Sequence, residues 1–309
     1  MKIYTPDYYN KFKCIAEKCQ HNCCIGWEID IDKDTLDKYK FVRGEFGKKL
    51  AENIDLAEYP HFRLSENERC PFLNNDNLCE IIINLGENHL CQICSDHPRF
   101  RNFFDSREEM GIGLCCEAAA ELIINKQDKT NFILLEGGEK ICDSDETQIF
   151  SERENVFNIL QNRNLNVNER IAQLTDKYKI KFPYSTFSEW SQFLTGLERL
   201  DNKWNTYIEK LSQLNKTDFE NCIPDKWENA REQLLIYFVF RYMADGFYDG
   251  RIYERLAFAI ISERLITAIC IANGITDLNG LADVSRAYSC EIEYSEENIG
   301  RMLDILTCF

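Results

Sequence analysis

The sequence predicts a mainly α-helical protein, in which an irregular cysteine-rich metal-binding domain (residues 1–140) precedes an α-helical bundle (residues 141–309). Two observations favour this architecture. Cysteine and histidine are concentrated in the first third of the chain, where long periodic segments are few. Beyond it, apolar side chains recur at intervals of three and four residues, which is typical of amphipathic helices.

The composition is that of a globular protein with an acidic surface. Its 309 residues can bury a large core, and the formal net charge is −16. The chain has no cluster of Lys and Arg to bind a phosphate backbone, so we expect no nucleic-acid partner. The acidic charge either suits a basic partner, such as a lysine-bearing protein, or serves only solubility.

The sequence also argues against a membrane. The first residues contain no apolar segment of the kind found in signal peptides. The longest uncharged apolar run, residues 234–240, is far shorter than the roughly 20 residues that cross a bilayer. We therefore expect a cytoplasmic protein without a membrane partner.

The cysteines are the strongest chemical signal. Ten of the 15 lie between Cys14 and Cys116, with the spacing Cys14-x4-Cys19-x3-Cys23-Cys24, Cys70-x8-Cys79-x11-Cys91-x2-Cys94 and Cys115-Cys116. In a reducing compartment such thiols bind metal more often than they form disulfides. Short gaps let thiolates converge on one ion, and soft thiolates select zinc, iron–sulfur clusters or Cu(I). The residues by themselves leave the metal open.

Several elements are predicted around these cysteines. Residues 27–32 alternate as a strand would, with Trp27, Ile29 and Ile31 on one face. We expect helices to begin at Asp34 and to cover residues 117–125. Residues 136–147, with two glycines followed by charged and turn-forming residues, read as a linker.

The second half of the chain is predicted to be helical. Apolar positions predict one long amphipathic helix over residues 188–214. Asp225 and Glu228 are spaced as in a capping box that opens the next helix. A further helix should cover residues 251–273 and end at Gly274. The remaining predicted helices are residues 145–162, 168–180, 277–289 and 295–307.

Several short motifs follow one another in the cysteine-rich part. They are Phe12-Lys-Cys14, Cys19, Cys23-Cys24-x-Gly26-Trp27-Glu-Ile29-Asp30-Ile-Asp32, Cys70-Pro71-Phe72-Leu73, Leu78-Cys79-Glu-Ile81, Leu85-Gly86-Glu87, Cys94 with His97-Pro98-Arg99, and Leu114-Cys-Cys116. In these motifs and their order, roughly residues 5 to 125 resemble the flagellin lysine-N-methylase family.

The resemblance implies a cytoplasmic enzyme that moves a methyl group from S-adenosylmethionine to lysine ε-amines of flagellin. It also implies an iron–sulfur cluster, of the 4Fe-4S type ahead of zinc. The metal ligands carried over from the motifs are Cys14, Cys19, Cys23, Cys24, Cys70, Cys79, Cys94 and Cys116. Cys91 and Cys115 are extra to the family pattern, and no catalytic residue or S-adenosylmethionine site is identified.

Two other classes of function remain open at this point. One is a non-enzymatic zinc- or iron-binding module whose helical part recognises a partner. The other is an iron–sulfur redox protein. Binding of S-adenosylmethionine distinguishes the methyltransferase from both.

Overall fold

The computed structural model describes residues 2–56, 58–137 and 144–306. Contacts within the chain divide it into two units: unit 1 is Met1–Phe12 with Arg101–Phe309, and unit 2 is Lys13–Phe100. The sequence placed the boundary near residue 140 instead. The division differs because the first strand of the chain pairs with strands that come after residue 100.

Short strands form two sheets in the described part of the chain. They are β1 (Lys2–Pro6), β2 (Ile54–Asp55), β3 (His61–Phe62), β4 (Arg99–Phe103), β5 (Arg107–Ile112) and β6 (Phe132–Glu136). The larger sheet has the order β4-β5-β1-β6, and β1 is parallel to β5 and antiparallel to β6. In unit 2, β2 and β3 form a minimal antiparallel pair. The sequence did not predict the larger sheet, because none of its strands is longer than six residues.

The prediction of a mainly α-helical protein is confirmed. The helices are α1 (Lys33–Tyr39), α2 (Gly44–Glu52), α3 (Glu80–Leu85), α4 (Gln92–Asp96), α5 (Glu117–Ile124), α6 (Ser144–Leu160), α7 (Val167–Lys177), α8 (Phe187–Thr195), α9 (Trp204–Leu211), α10 (Lys216–Cys222), α11 (Glu228–Tyr242), α12 (Gly246–Asp249), α13 (Ile252–Ala272), α14 (Leu278–Tyr288) and α15 (Glu296–Ile305). Helices α1 to α4 belong to unit 2, and the others belong to unit 1. No helix within the described ranges is both long and apolar enough to cross a bilayer.

The single long helix predicted over residues 188–214 is wrong. The chain forms α8, leaves the helix after Thr195 and re-enters one at Trp204. Between them, the backbone amides of Leu200 and Asp201 donate hydrogen bonds to the Glu291 carboxylate, at 3.1 and 2.5 Å. A helical segment would use those amides internally, so a distant side chain interrupts a pattern that is otherwise periodic.

The capping box predicted at Asp225 is also wrong. Residues 225–227 form a short 3-10 helix, and α11 starts at Glu228 without a side-chain cap from the described residues. The Glu228 carboxylate instead accepts a hydrogen bond from the amide of Val167, at 2.9 Å. Capping boxes do occur elsewhere: Asn166 with Glu169 opens α7, and Thr186 with Glu189 opens α8.

Most other predicted elements are confirmed within a few residues. Helices α1, α5, α6, α7, α13, α14 and α15 match predicted segments, and Gly274 follows α13 with a φ of +71°. Residues 27–32 do not form a regular strand, although Ile29 and Ile31 are both buried as the alternation predicted. The predicted linker overlaps residues 138–143, which lie outside the described residues.

The core of unit 1 is built on α11 and α13, which pack against each other. Both helices are buried on nearly all sides, so their charged residues must find partners inside the protein. Arg231 of α11 pairs with Glu263 of α13, at 2.5 Å. Glu232, also fully buried, binds Arg170 at 2.7 Å and Arg163 at 2.8 Å.

We predict that Glu232→Ala will destabilise the protein by about 3–5 kcal/mol, because it leaves the buried Arg170 guanidinium without its counter-charge. Urea unfolding of the purified chain measures this difference. The matched control is Asp37→Ala, which removes an ion pair with Lys40 on the surface of α1 and should change the midpoint little. If the two variants had similar urea midpoints, the conclusion that the buried ion pairs stabilise the folded protein would be wrong.

Candidate functional site: a thiol core

Backbone pairing in unit 2 brings the first two groups of cysteines together. The amide of Cys70 donates to the carbonyl of Cys24 at 2.8 Å, and Ile25 forms an antiparallel bridge with Arg69. Gly26 continues this pairing by donating to the carbonyl of Glu68, with a φ of +95° that favours glycine. The segment before Cys70 therefore runs alongside the segment after Cys23.

Cys79 is brought to the same place by a tight return of the chain. Leu73 and Cys79 form an antiparallel bridge, and the amide of Glu80 donates to the carbonyl of Phe72 at 2.7 Å. Cys79 occupies the N-cap position of α3. The Cys79 thiol therefore lies near Cys70, and the chain continues from Cys79 into α3.

The Asp32 carboxylate fixes the position of the third group. One oxygen caps α1 by accepting from the amide of Thr35 at 2.9 Å, and the other accepts from the amide of Gln92 at 2.8 Å. Gln92 is the first residue of α4, whose N-cap is Cys91. The hydroxyl of Tyr39 contacts the Cys91 sulfur at 3.7 Å. A single carboxylate thus holds two helix starts together and places Cys91 in the interior.

Of the cysteines that the structure describes, six gather in unit 2, and we refer to them as the six-thiol core. Five of them pack in or against the apolar core of the unit, and Cys23 joins them through a hydrogen bond with Cys24. Cys91 and Cys94 share a similar hydrogen bond. The members are Cys23, Cys24, Cys70, Cys79, Cys91 and Cys94.

The ionisation of these thiols is mutually dependent. A hydrogen bond from Cys24 lowers the pKa of the Cys23 thiol to about 7. The same bond raises the pKa of Cys24, and burial and the nearby Cys70 and Cys79 raise it further. Burial raises the pKa of the Cys70 thiol to about 11 and also raises that of Cys79.

The second hydrogen-bonded pair behaves in the same way. The Cys94 thiol lowers the pKa of Cys91, while the pKa of Cys94 is raised first by that bond, then by burial, and also by Cys70 and Cys23. The three groups of cysteines contribute to one core, so the charge on a thiol of one segment influences the thiols of the others. Ionising all six together without a cation would be costly.

The donor set suits a soft metal, but the thiols are not arranged around one. Among the residues that the structure describes, no group of three or more His, Cys, Asp or Glu side chains is positioned to hold a metal ion. The thiols are engaged with one another instead. The chemistry of the donor set fits a thiolate-bound centre, so the predicted metal-binding domain remains a proposal.

The eight predicted ligands are not all in this core. Cys14 is exposed, and its sulfur accepts from the amide of Ala16 at 3.4 Å. Cys19 is half-buried and, like Cys14, lies outside the described members of the apolar core. Cys116 belongs to unit 1, where it occupies the N-cap position of α5.

Cys91 is the member that sequence reasoning set aside. It is fully buried and hydrogen-bonded to both Cys94 and Tyr39. Its spacing of two residues from Cys94 is the tightest non-adjacent interval among the first ten cysteines. That spacing was the available signal, because two residues is a typical interval between ligands of one ion.

Unit 1 contains a polar cavity of about 630 Å³ between the start of β6 and helix α6. Carboxamide side chains contribute much of its wall, among them those of Asn131, Asn158 and Gln161. The Gln161 side chain donates to the carbonyl of Thr130 at 3.2 Å, and its buried oxygen accepts no hydrogen bond from the described residues. The volume is within the range of small-molecule sites.

Comparison with known proteins identifies a related family. Residues 171–307 match the family model of the FliB lysine N-methylase C-terminal domain. The chain is 28% identical over 133 residues to the flagellar biosynthetic protein FliU of Salmonella muenchen, covering 41% of this chain and 79% of that protein. Lysine-N-methylases of Salmonella typhimurium and Salmonella choleraesuis show the same identity over the same length.

The chain spans 33% of the length of each of those two lysine-N-methylases. No solved structure matches it. The family match falls in the helical part of unit 1, whereas the motifs that resemble the family lie mainly in unit 2. On these two grounds the chain is similar to the flagellin lysine-N-methylase family, and residues 171–307 match the C-terminal domain of its members.

Proposed function

We propose that the protein is an S-adenosylmethionine-dependent protein lysine N-methyltransferase. The observation that carries the proposal is the match of residues 171–307 to the lysine N-methylase C-terminal domain. The curated relatives named lysine-N-methylase support it, although the chain covers only a third of their length. The acidic net charge of −16 is compatible with a substrate that presents lysines.

The reaction sets clear requirements for the protein. S-adenosylmethionine supplies a methyl group bonded to a sulfonium sulfur. The lone pair of the lysine nitrogen forms the new N–C bond, the C–S bond breaks with its electron pair remaining on sulfur, and one proton leaves the nitrogen. The protein must therefore hold the amine in its neutral form and place it in line with the methyl group.

We further propose that the six-thiol core holds an iron–sulfur cluster, with zinc as the alternative. The support is chemical: soft donors from three segments lie close together in one small unit. The cluster would cross-link these segments, since unit 2 has few regular elements of its own. Binding requires the hydrogen-bonded pairs Cys23–Cys24 and Cys91–Cys94 to turn toward the metal.

The relatives support a proposal for the substrate and for the location. We propose flagellin as the methylated protein, because relatives of this chain are named for flagellar biosynthesis and for lysine methylation. We propose a cytoplasmic location. The polar cavity beside β6 is large enough for a nucleoside-sized methyl donor.

We predict that the anaerobically purified chain transfers a labelled methyl group from S-adenosylmethionine to lysines of flagellin. Mass spectrometry of digested flagellin measures the mass increase on lysine-containing peptides. The control is the same mixture with heat-unfolded protein. If the folded chain binds S-adenosylmethionine but methylates no lysine, the activity is wrong; if it binds a metal and no S-adenosylmethionine, a redox or interaction function takes its place.

We predict that Cys91→Ser lowers the metal content of the purified chain, because serine offers a hard oxygen that is rarely deprotonated. Metal analysis per chain, together with the absorption spectrum, measures the loss. Cys222→Ser is the matched control, since Cys222 is exposed in unit 1. Cys91→Ala is a second variant that buries no hydroxyl.

A third variant, Cys14→Ser, distinguishes the metal ligands implied by the family pattern from those of the six-thiol core. The family pattern predicts that Cys14 binds metal and Cys91 does not, whereas the six-thiol core predicts the reverse. A normal metal content in both Cys91 variants, with loss in Cys14→Ser, would overturn the assignment to this core. Normal content in every variant would mean that these cysteines hold no metal.

A further inference from the structure

A turn of π-helix in the C-terminal domain places a carboxylate in an unusual setting. Residues 289–293 form this turn directly after α14. Such turns are rare inside helices and occur frequently at functional sites. Its last residue, Glu293, is buried, and the partners of its carboxylate come from α11.

The hydrogen bonds to Glu293 all converge on one oxygen. Oε2 accepts from the hydroxyl of Tyr237 at 2.8 Å and from the hydroxyl of Tyr242 at 2.8 Å. Arg241 pairs with the same oxygen at 3.0 Å. Oε1 is buried and accepts no hydrogen bond from any residue that the structure describes. A carboxylate oxygen in such a place normally has a partner.

The contrast with Glu291, two residues earlier on the same π-helical turn, is informative. Both oxygens of Glu291 are used, because they accept from the amides of Leu200 and Asp201. Glu291 therefore has a complete structural role, namely fixing the segment between α8 and α9. Glu293 retains one acceptor beyond what the fold uses.

The surroundings of Glu293 suit an alkyl amine. The Arg241 guanidinium lies 6.0, 5.3 and 5.9 Å from the ring centroids of Tyr237, Tyr242 and Tyr294, so three aromatic rings surround the cation beside Glu293. Tyr294 is 47% exposed and is its solvent-facing member, and its hydroxyl accepts from the Cys115 thiol at 2.8 Å. Aromatic walls can contact an apolar stem that leads from solvent toward a buried polar atom.

The charge balance of the cluster favours a neutral amine. Arg241 already compensates the charge of Glu293, so a second cation there would meet a nearby like charge. A neutral amine can still donate one N–H to Oε1 and keep its lone pair free. That is the protonation state that methyl transfer requires.

We infer that this cluster, which we call the tyrosine–glutamate cluster (Tyr237, Arg241, Tyr242, Glu293 and Tyr294), binds the ε-amine of the acceptor lysine through Glu293 Oε1. The inference rests on the proposed methyltransferase function. Glu293 is the catalytic residue that touches the amine, and Tyr237 and Tyr242 are positioning residues that hold the opposite oxygen. All five residues lie within the matched C-terminal domain.

The test combines a binding readout with a kinetic one on the full chain. The variants are Glu293→Gln and the milder Tyr242→Phe. Tyr288→Phe is the matched control, because Tyr288 is a buried tyrosine of α14 whose hydroxyl is shared with Ser262 instead. Thermal unfolding tests whether each variant is folded. If Glu293→Gln does not fold, the result for Tyr242→Phe decides whether the cluster binds the lysine.

Nα-acetyl-lysine methylamide serves as the binding probe, followed by saturation-transfer NMR of its ε-methylene protons. We expect binding by the wild type and by Tyr288→Phe, with affinity about ten- to a hundredfold weaker in Glu293→Gln. In flagellin methylation, kcat/KM should fall by a similar factor in both cluster variants, while S-adenosylmethionine affinity measured by calorimetry stays within twofold.

The two proposals fail in different ways. If the wild type binds the lysine probe in this cluster but transfers no methyl group, the lysine site stands and the methyltransferase function is wrong. If the wild type methylates flagellin and folded cluster variants do so equally well, the lysine site is wrong. Absence of probe binding to the wild type, or equal binding to Glu293→Gln, also overturns it.

Discussion

The packing of six thiols into one small core is the constraint on which unit 2 depends. The unit has short helices and a minimal strand pair, so much of its backbone hydrogen bonding lies in turns and isolated bridges. These irregular segments enclose an interior in which Phe62 and Phe72 pack among the cysteines. Deprotonating several buried thiols at once would require a compensating cation, which the proposed metal centre would supply.

Unit 1 is organised by a different rule, in which buried glutamates of the helical core pair with arginines. Glu232 and Glu263 sit inside the helical core with arginine partners, and their role is explained by the fold. Glu293 differs from these two because only one of its oxygens is used by the described residues. A buried carboxylate oxygen that the fold leaves without a partner is a candidate position for a functional contact. This is why the tyrosine–glutamate cluster, and not the better-paired acids, is assigned to substrate.

The sequence predicted those parts of the fold that local pattern determines. Helix α13 and its end at Gly274 follow from apolar periodicity and the conformational freedom of glycine. The break between α8 and α9 could not be predicted, because it depends on Glu291, about 90 residues further along the chain. The larger sheet was missed for a similar reason, since β1 finds its partners more than 100 residues away.

The candidate sites were predictable to different degrees. Five members of the six-thiol core carry family motifs, and only their spatial arrangement added Cys91. The tyrosine–glutamate cluster has no sequence signature, since Tyr237 and Glu293 are 56 residues apart and meet only through helix packing. A functional site formed by closely spaced cysteines can be recognised from the sequence. A site assembled from common residue types that lie far apart along the chain cannot.

X-ray absorption at the metal edge of the anaerobically purified full chain tests directly whether the six-thiol core is a metal centre. We expect a metal bound in stoichiometric amount, with about four sulfur neighbours at a distance of about 2.3 Å. A metal surrounded by oxygen and nitrogen alone, or no stoichiometric metal at all, would contradict the interpretation of the six-thiol core as a metal centre.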